Sequence, residues 1–283
     1  MKKSGHGSDS YEKMCEKFSI EVPDYFNFGF DVIDAWAKKD RNKLAMIWVD
    51  QNGAEKKMSF LDLANLSNKA ANILLKYNIN KGDRVLVMLP RIPEWWIFAI
   101  ALIKLGAVFA PCPTMLTPRD IKYRVNKGKF RMIITDLENA SKVEEICNEC
   151  PTLTTRILAD GDLKGWASFP YELLYPAPVS HRSVSIPDNL RTRSTDPMLI
   201  YFTSGTTGEP KMVLHNNSYP LGHIVTARLW QDVRHNDLHF TVSDTGWEKC
   251  GWGKIFGQWI EGACIFVYKF TGKFQATEVL PLL

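Results

Sequence analysis

The chain has 283 residues, of which 45% are hydrophobic and 23% charged, a composition typical of a globular protein with a large core. The formal net charge is only +4, and basic residues are interspersed with acidic ones, which argues against a nucleic-acid partner. Six cysteines lie mostly in apolar settings, as reduced core thiols do. Cys147 and Cys150 have metal-ligand spacing, but no second pair follows, so we expect no metal site.

Residues 1–40 are predicted to form an N-terminal arm with a polar start and an aromatic run, Tyr25–Phe30. We expect these aromatic rings to pack in the core, and a membrane or partner contact is the alternative. The first seven residues have no apolar signal region. Asp9, Glu12 and Glu16 come too early for an arginine-rich presequence, so no targeting segment is evident.

Residues 41–186 are predicted to form a first α/β subdomain. Asn52-Gly53 separates two β-type runs and marks a hairpin, and Ser59 with Asp62 forms a capping box for the helix that follows. Nearly continuous apolar strands at 84–89, 108–110, 132–135 and 155–159 then alternate with helices. This regular alternation indicates a doubly wound α/β fold with mostly parallel sheets.

The apolar run Trp95–Ile103 is short of the roughly 20 residues that a membrane span requires. Lys104, Gly106 and Pro111 interrupt its continuation, so a helix followed by a buried strand is predicted instead. No transmembrane segment is expected in the chain.

Residues 187–283 are predicted to form a second, incomplete α/β subdomain. Residues 160–193 are rich in Gly, Pro and Ser and read as the connection to it. An apolar strand at 198–202 opens the second subdomain. Further elements are predicted in chain order: a helix at 218–230, a strand at 237–242, a short helix at 251–260 and a strand at 264–268.

A loop rich in hydroxyls and glycines follows the strand at 198–202. Its four hydroxyl groups can donate to phosphate oxygens. Gly205 and Gly208 allow close approach of the backbone, and Lys211 adds a positive charge. Its one acid, Glu209, is expected to face solvent. The predicted phosphate-binding residues are Thr203, Ser204, Gly205, Thr206, Thr207, Gly208, Glu209, Pro210 and Lys211.

This loop is not the P-loop of kinases and other NTPases, which needs Gly-Lys-Ser/Thr at the start of a helix. Here Lys211 follows Pro210, and an apolar run at 212–215 continues as a second strand. A strand–loop–strand hairpin is therefore predicted. The alternative is a surface turn without function.

The loop resembles the phosphate-binding signature of the adenylate-forming enzymes, which include acyl-CoA synthetases, luciferases and the adenylation domains of peptide synthetases. Met212, where many of these enzymes have glycine, resembles the medium-chain acyl-CoA synthetase branch. The resemblance runs from about Val22 to Gln275, and four further stretches carry it: 22–28, 89–96, 243–247 and 262–267.

The resemblance implies that the chain is the N-terminal part of the large domain of such an enzyme. The implied reaction activates a medium-chain fatty or related carboxylic acid with ATP, through an acyl-adenylate, to acyl-CoA. ATP, Mg²⁺ and coenzyme A are the implied cofactors, and residues 203–211 would hold the β- and γ-phosphates. Trp247 is either a wall of the acyl pocket or a core tryptophan, and His215 either approaches the nucleotide or is structural. No catalytic residue, metal ligand or coenzyme A contact is assigned.

Members of the resembled family continue beyond the residue equivalent to Leu283, with adenine, ribose and Mg²⁺ contacts and a mobile C-terminal domain. The resemblance therefore implies little or no ligase activity for this polypeptide alone. A non-catalytic isoform that binds a nucleotide or a partner is the alternative. The resembled branch is mitochondrial, which implies a location in the matrix despite the absence of an evident presequence.

Overall fold

The computed structural model describes residues 13, 15–16, 18–169, 191–205 and 208–283, and the structural statements below concern these residues. Its strands are β1 (Leu44–Asp50), β2 (Glu55–Ser59), β3 (Arg84–Met88), β4 (Val108–Pro111), β5 (Met132–Thr135), β6 (Thr155–Leu158), β7 (Ala167–Ser168), β8 (Pro197–Thr203), β9 (Lys211–Asn216), β10 (Leu238–Phe240) and β11 (Cys264–Lys269).

Nine α-helices are described: α1 (Ala35–Lys39), α2 (Phe60–Lys76), α3 (Pro93–Lys104), α4 (Pro118–Gly128), α5 (Leu137–Glu144), α6 (Tyr219–Val225), α7 (Glu248–Lys254), α8 (Phe256–Ile260) and α9 (Ala276–Val279). A π-helical turn at Gly29–Asp34 leads into α1, and a second one at Thr226–Trp230 extends α6. Short 3₁₀ turns lie at Cys147–Glu149 and Leu280–Leu282.

The strands form two sheets. The larger sheet has the order β7-β6-β5-β3-β4-β8-β9, and all its neighbours are parallel except the antiparallel pair β8 and β9. The smaller sheet has the order β10-β11-β1-β2, and only β1 and β2 are antiparallel. The predicted α/β class with mostly parallel, doubly wound sheets is confirmed, and so is the hairpin at Asn52-Gly53.

Helix α3 forms the middle layer between the two sheets. All 12 of its residues are buried, which explains why its sequence is apolar around the whole circumference. Val85 and Val87 of β3 pack in the same cluster as α3, whereas Leu86 and Met88 point to the opposite face, where α4 and α5 cover the sheet. The apolar run 95–103 is thus a core helix as predicted, and no helix among the described residues is long and apolar enough to cross a membrane.

Helix starts follow the predicted capping signals. Ser59 and Asp62 exchange hydrogen bonds at the start of α2, and Thr117 and Asp120 do the same at the start of α4, with Pro118 at the first helical position. The predicted capping box at Ser59 is confirmed.

Part of the aromatic run near the N-terminus packs in the core as predicted, since Phe26 and Phe28 are buried, whereas Tyr25 is 40% exposed. Phe28 is fully buried and meets Phe256 edge-on, with 5.1 Å between ring centroids. Lys104 of α3 is also fully buried, and its Nζ donates to Asp34 and Asn68 at 2.6 and 2.7 Å. The first 12 residues of the predicted arm lie outside the described residues.

Both sheets draw strands from either side of the predicted subdomain boundary. Strands β3–β7 precede residues 186–187, yet they share a sheet with β8 and β9, and β1 pairs in parallel with β11. The boundary itself, like most of the predicted connection 160–193, falls outside the described residues. The division into 1–40, 41–186 and 187–283 stays a prediction.

Candidate phosphate-binding site

The predicted strand–loop–strand arrangement is confirmed. Strands β8 and β9 pair antiparallel, with Thr203 opposite Lys211 and Phe202 opposite Met212. Strand β8 is also a neighbour of β4, so the hairpin is continuous with the larger sheet. The loop therefore leaves the sheet at the carboxyl end of β8, the edge at which open α/β sheets bind their ligands.

Backbone geometry explains both glycines of the loop. Gly208 has φ of +88°, a conformation that L side chains rarely adopt, and its N–H lies 3.4 Å from the carbonyl oxygen of Gly205. A Cβ on Gly205 would lie 2.1 Å from the carbonyl oxygen of Glu209. The loop thus folds back on itself so closely that only glycine fits at position 205.

The loop presents polar groups to solvent. Ser204, Glu209 and Lys211 are exposed, which confirms the expectation for Glu209, and Thr203 is half-buried at the end of β8. Thr206 and Thr207 lie outside the described residues, so their predicted phosphate contacts stay predictions. The described part leaves a hydroxyl, backbone groups and a lysine free to meet an anion.

An open groove of about 740 Å³ lies beside the loop, between Gly208–Pro210 and the exposed face of α4. Tyr123 of α4 donates from its hydroxyl to the carbonyl oxygen of Pro210 at 3.1 Å. Arg124 of the same helix places its guanidinium 5.3 Å from the ring centroid of Phe202. Helix α4 is therefore the element against which the loop between β8 and β9 packs.

The loop 243–247 follows β10 and meets the ends of β3 and β4. Thr245 donates from its hydroxyl to the carbonyl oxygen of Leu89, and a Cβ on Gly246 would lie 2.1 Å from the backbone nitrogen of Pro113. This loop therefore closes against the carboxyl edge of the larger sheet. Trp247 is 51% exposed in this chain, and its role in an acyl pocket stays a prediction.

Arg91 connects the segments that follow three strands. No role for it was predicted from the sequence. Its guanidinium contacts Asp244 at 3.1 Å, donates to the carbonyl oxygen of Phe270 at 2.8 Å, and lies 3.8 Å from the Phe270 ring centroid. Arg91 follows β3, Asp244 follows β10 and Phe270 follows β11, so this side chain connects the two sheets. The available signal was its position directly after a buried strand.

The loop 243–247 is also bonded to Lys254 of α7. This side chain is almost fully buried, and its Nζ donates to the carbonyl oxygen of Ser243 at 3.2 Å. Burial lowers the pKa of Lys254 to about 8, because the interior disfavours the charged form.

His215 lies in an aromatic cluster on the outer strand β9. Its ring centroid is 4.1 Å from that of Tyr219, which in turn is 4.6 Å from His223. Burial lowers the pKa of His215, and burial together with the nearby His215 lowers the pKa of His223 to about 4. Packing of this kind favours the structural interpretation of His215. Within the described parts of the chain, no group of three or more His, Cys, Asp or Glu side chains is arranged to hold a metal ion.

The chain is thus an α/β protein with mostly parallel sheets and a glycine- and hydroxyl-rich hairpin at the carboxyl edge of the larger sheet. The family model described as AMP-binding enzyme matches residues 33–280, and the chain therefore belongs to this family. The predicted membership of the adenylate-forming, AMP-binding superfamily is confirmed.

Among curated proteins, the chain is similar to the mitochondrial acyl-coenzyme A synthetases. It is 39% identical to ACSM3 of Mus musculus, in an alignment that covers 97% of this chain and 47% of that protein. It is 42% identical to ACSM4 of Rattus norvegicus, over 92% of this chain and 45% of that protein. For ACSM5 of Homo sapiens the identity is 42%, over 88% and 43%. The chain spans about half the length of the curated relatives it matches.

Solved structures share the fold. An acyl-CoA synthetase from Brucella canis superimposes with a TM-score of 0.82 at 23% identity, covering 97% of this chain and 50% of that one. Acetoacetyl-CoA synthetase from Streptomyces lividans gives 0.77 at 22% identity, covering 90% and 40%. At this identity the likeness supports the architecture and not a particular substrate.

Proposed function

We propose that this chain supplies the triphosphate-binding hairpin of an AMP-forming acyl-CoA synthetase. The observation that carries the proposal is the loop between β8 and β9. It leaves the carboxyl edge of the larger sheet, is folded tightly through Gly205 and Gly208, and ends on the exposed Lys211. The similarity to acyl-coenzyme A synthetases along nearly the whole chain supports the same reaction class.

The proposed role of the loop is electrostatic. When a carboxylate attacks the α-phosphate of ATP, negative charge builds up on the departing pyrophosphate. Preorganised donors at that point lower the barrier, and the hydroxyls of Thr203, Ser204, Thr206 and Thr207 together with the Lys211 ammonium would supply them. Gly205 and Gly208 act through the backbone shape, and Glu209 and Pro210 complete the turn.

Mg²⁺ and coenzyme A belong to the proposal through the family and not through a described site. Magnesium in ATP-dependent enzymes is bound largely by substrate phosphates and water, with few protein oxygens. A loop hydroxyl fits that requirement, and a cluster of carboxylates is not needed. Coenzyme A is the proposed acyl acceptor, and none of the described residues is assigned to it.

The proposed second substrate is a medium-chain fatty or related carboxylic acid. Trp247 would form one wall of its pocket, because its indole is half exposed at the sheet edge and its loop is held by Arg91 and Lys254. We assign the substrate to the medium-chain class because Met212, where many adenylate-forming enzymes have glycine, resembles that branch. Location in the mitochondrial matrix is proposed from the names of the relatives, which are mitochondrial proteins.

The phosphate site is tested by titrating the chain with inorganic tripolyphosphate and with MgATP, followed by ³¹P NMR. We expect saturable binding of both, and we expect Lys211→Ala to weaken it at least tenfold, because a hydrogen bond to a charged group contributes about 1.5–3 kcal/mol. Lys76→Ala is the matched control, since Lys76 is an exposed lysine at the end of α2. Equal affinities for the wild type and Lys211→Ala would refute the site.

Catalysis is tested separately by release of pyrophosphate in the presence of octanoate and MgATP. Release that depends on the acid would support acyl-adenylate formation by the chain. Little or no release is the result expected of this polypeptide alone, and robust turnover would refute that expectation.

A further inference from the structure

Helix α4 supports the phosphate hairpin from one side. Phe202 of β8 and Met212 of β9 are partly buried against the hydrophobic cluster that contains Ile121 and Val125 of α4. Above this apolar contact, the Tyr123 hydroxyl reaches the carbonyl oxygen of Pro210, the last residue before β9. The helix and both strands of the hairpin therefore share one apolar cluster, and Tyr123 adds a contact to the loop between the strands.

The helix itself is fixed to its surroundings. Its first turn is closed by the capping box of Thr117 and Asp120. On its outer face, Lys122 pairs with Glu149 at 2.8 Å, and Asn126 donates to the carbonyl oxygen of the same residue at 3.0 Å. A hydrogen bond from Tyr123 thus connects the loop to a helix that is itself capped at Thr117 and bonded to Glu149.

The described residues of the loop, 203–205 and 208–210, are partly or fully exposed. Its turn has a long backbone hydrogen bond of 3.4 Å between Gly208 and Gly205, and Ser204, Gly208 and Glu209 are exposed. Exposed surface loops open at low free-energy cost. Any conformation in which Pro210 departs from the helix would also move the carbonyl of the neighbouring Glu209. That carbonyl oxygen lies 2.1 Å from the place that a Cβ on Gly205 would occupy.

We propose that Tyr123 is a positioning residue for the phosphate loop. Its hydroxyl holds Pro210, and through Pro210 the neighbouring Gly208 and Glu209, in the conformation that receives the phosphate groups. The identity of the ligand as a triphosphate depends on the proposed function, whereas the positioning of the loop by Tyr123 does not. Tyr123 lies 87 residues before Pro210 in the chain, so no local motif connects the two.

The test is Tyr123→Phe, which removes one hydroxyl and keeps the ring. Because apparent affinity scales with the fraction of molecules in the competent conformation, we expect tripolyphosphate to bind about three- to tenfold more weakly, as the loss of one neutral hydrogen bond predicts. Tyr268→Phe is the matched control, since its hydroxyl donates at the same 3.1 Å, to Glu278, on the other sheet. We expect its affinity to equal that of the wild type.

Hydrogen–deuterium exchange supplies a readout that needs no ligand. We expect amide exchange of the segment 203–211 to rise severalfold in Tyr123→Phe, and to stay at the wild-type rate in Tyr268→Phe. Unchanged exchange in Tyr123→Phe, or an equal rise in both variants, would overturn the positioning role. If the wild type binds no tripolyphosphate, the proposed function fails, and the exchange result alone decides the role of Tyr123.

Discussion

Replacing Gly205 by alanine should damage the phosphate site while leaving the fold intact. The new Cβ would lie 2.1 Å from the Glu209 carbonyl oxygen, whereas real Cβ atoms essentially never come closer than 3.0 Å to another heavy atom. The two segments of the loop must therefore separate by roughly 0.9 Å. Displacements of about 1 Å at a site cost up to a hundredfold in function, so we expect tripolyphosphate affinity to fall at least tenfold.

The assay for Gly205→Ala is the same ³¹P NMR titration, accompanied by urea unfolding. Because the loop is on the surface and leads into an outer strand, we expect the free energy of unfolding to change by less than about 1 kcal/mol. Gly272→Ala is the control. Its φ of +75° makes alanine strained there too, but its Cβ would meet no atom within 4 Å, and it follows β11. Wild-type affinity in Gly205→Ala would refute the tight-loop reasoning.

Two further predictions concern stability. The pKa of His223, lowered to about 4, lies below its value of about 6.5 in the unfolded chain, so the folded state binds fewer protons and stability falls as the pH drops through this window. Between pH 7.5 and 5 we expect His223 to contribute a loss of about 2 kcal/mol in urea unfolding, so His223→Gln should lose less stability over this range than the wild type or the exposed His235→Gln; equal pH dependence in both variants would contradict it. Arg91→Lys should cost about 1–3 kcal/mol, because lysine cannot both pair with Asp244 and lie flat on Phe270. Arg131→Lys, at a more exposed pair with Asp83, should cost under about 1 kcal/mol, and equal losses would refute a special role for Arg91.

The elements that could be predicted from the sequence are those specified by local signals. The capping boxes at Ser59 and Thr117, the Asn52-Gly53 turn and the apolar strands each depend on neighbouring residues. The loop before Lys211 was recognisable for the same reason, since its hydroxyls, glycines and lysine are consecutive in the chain.

Features that join distant parts of the chain could not be predicted in this way. Nothing local in β1 indicates that Met46 lies opposite Ile265, and this pairing is what places strands from both ends of the chain in one sheet. Arg91 and Tyr123 contact partners 153 and 87 residues away, and a single arginine after a strand or a tyrosine on a helix has many structural explanations. Long-range contacts depend on the assembled fold and leave no periodic pattern.

The proposed phosphate hairpin and the loop that carries Trp247 are connected by a packing contact between β8 and α7. A Cβ on Gly251 of α7, just after Trp247, would lie 2.2 Å from the Tyr201 hydroxyl of β8, so the helix and the strand pack at a distance that only glycine permits. Tyr201 is buried two residues before Thr203, and burial raises its pKa well above the usual range, so it remains a neutral, packed group at physiological pH. The proposed acid-binding loop and the proposed phosphate loop are therefore anchored in the same rigid contact. Because close packing transmits displacement, a shift of α7 would move β8 as well. Two substrates that must meet at a fixed geometry would be served by such a common anchor, since it keeps the distance between their sites constant.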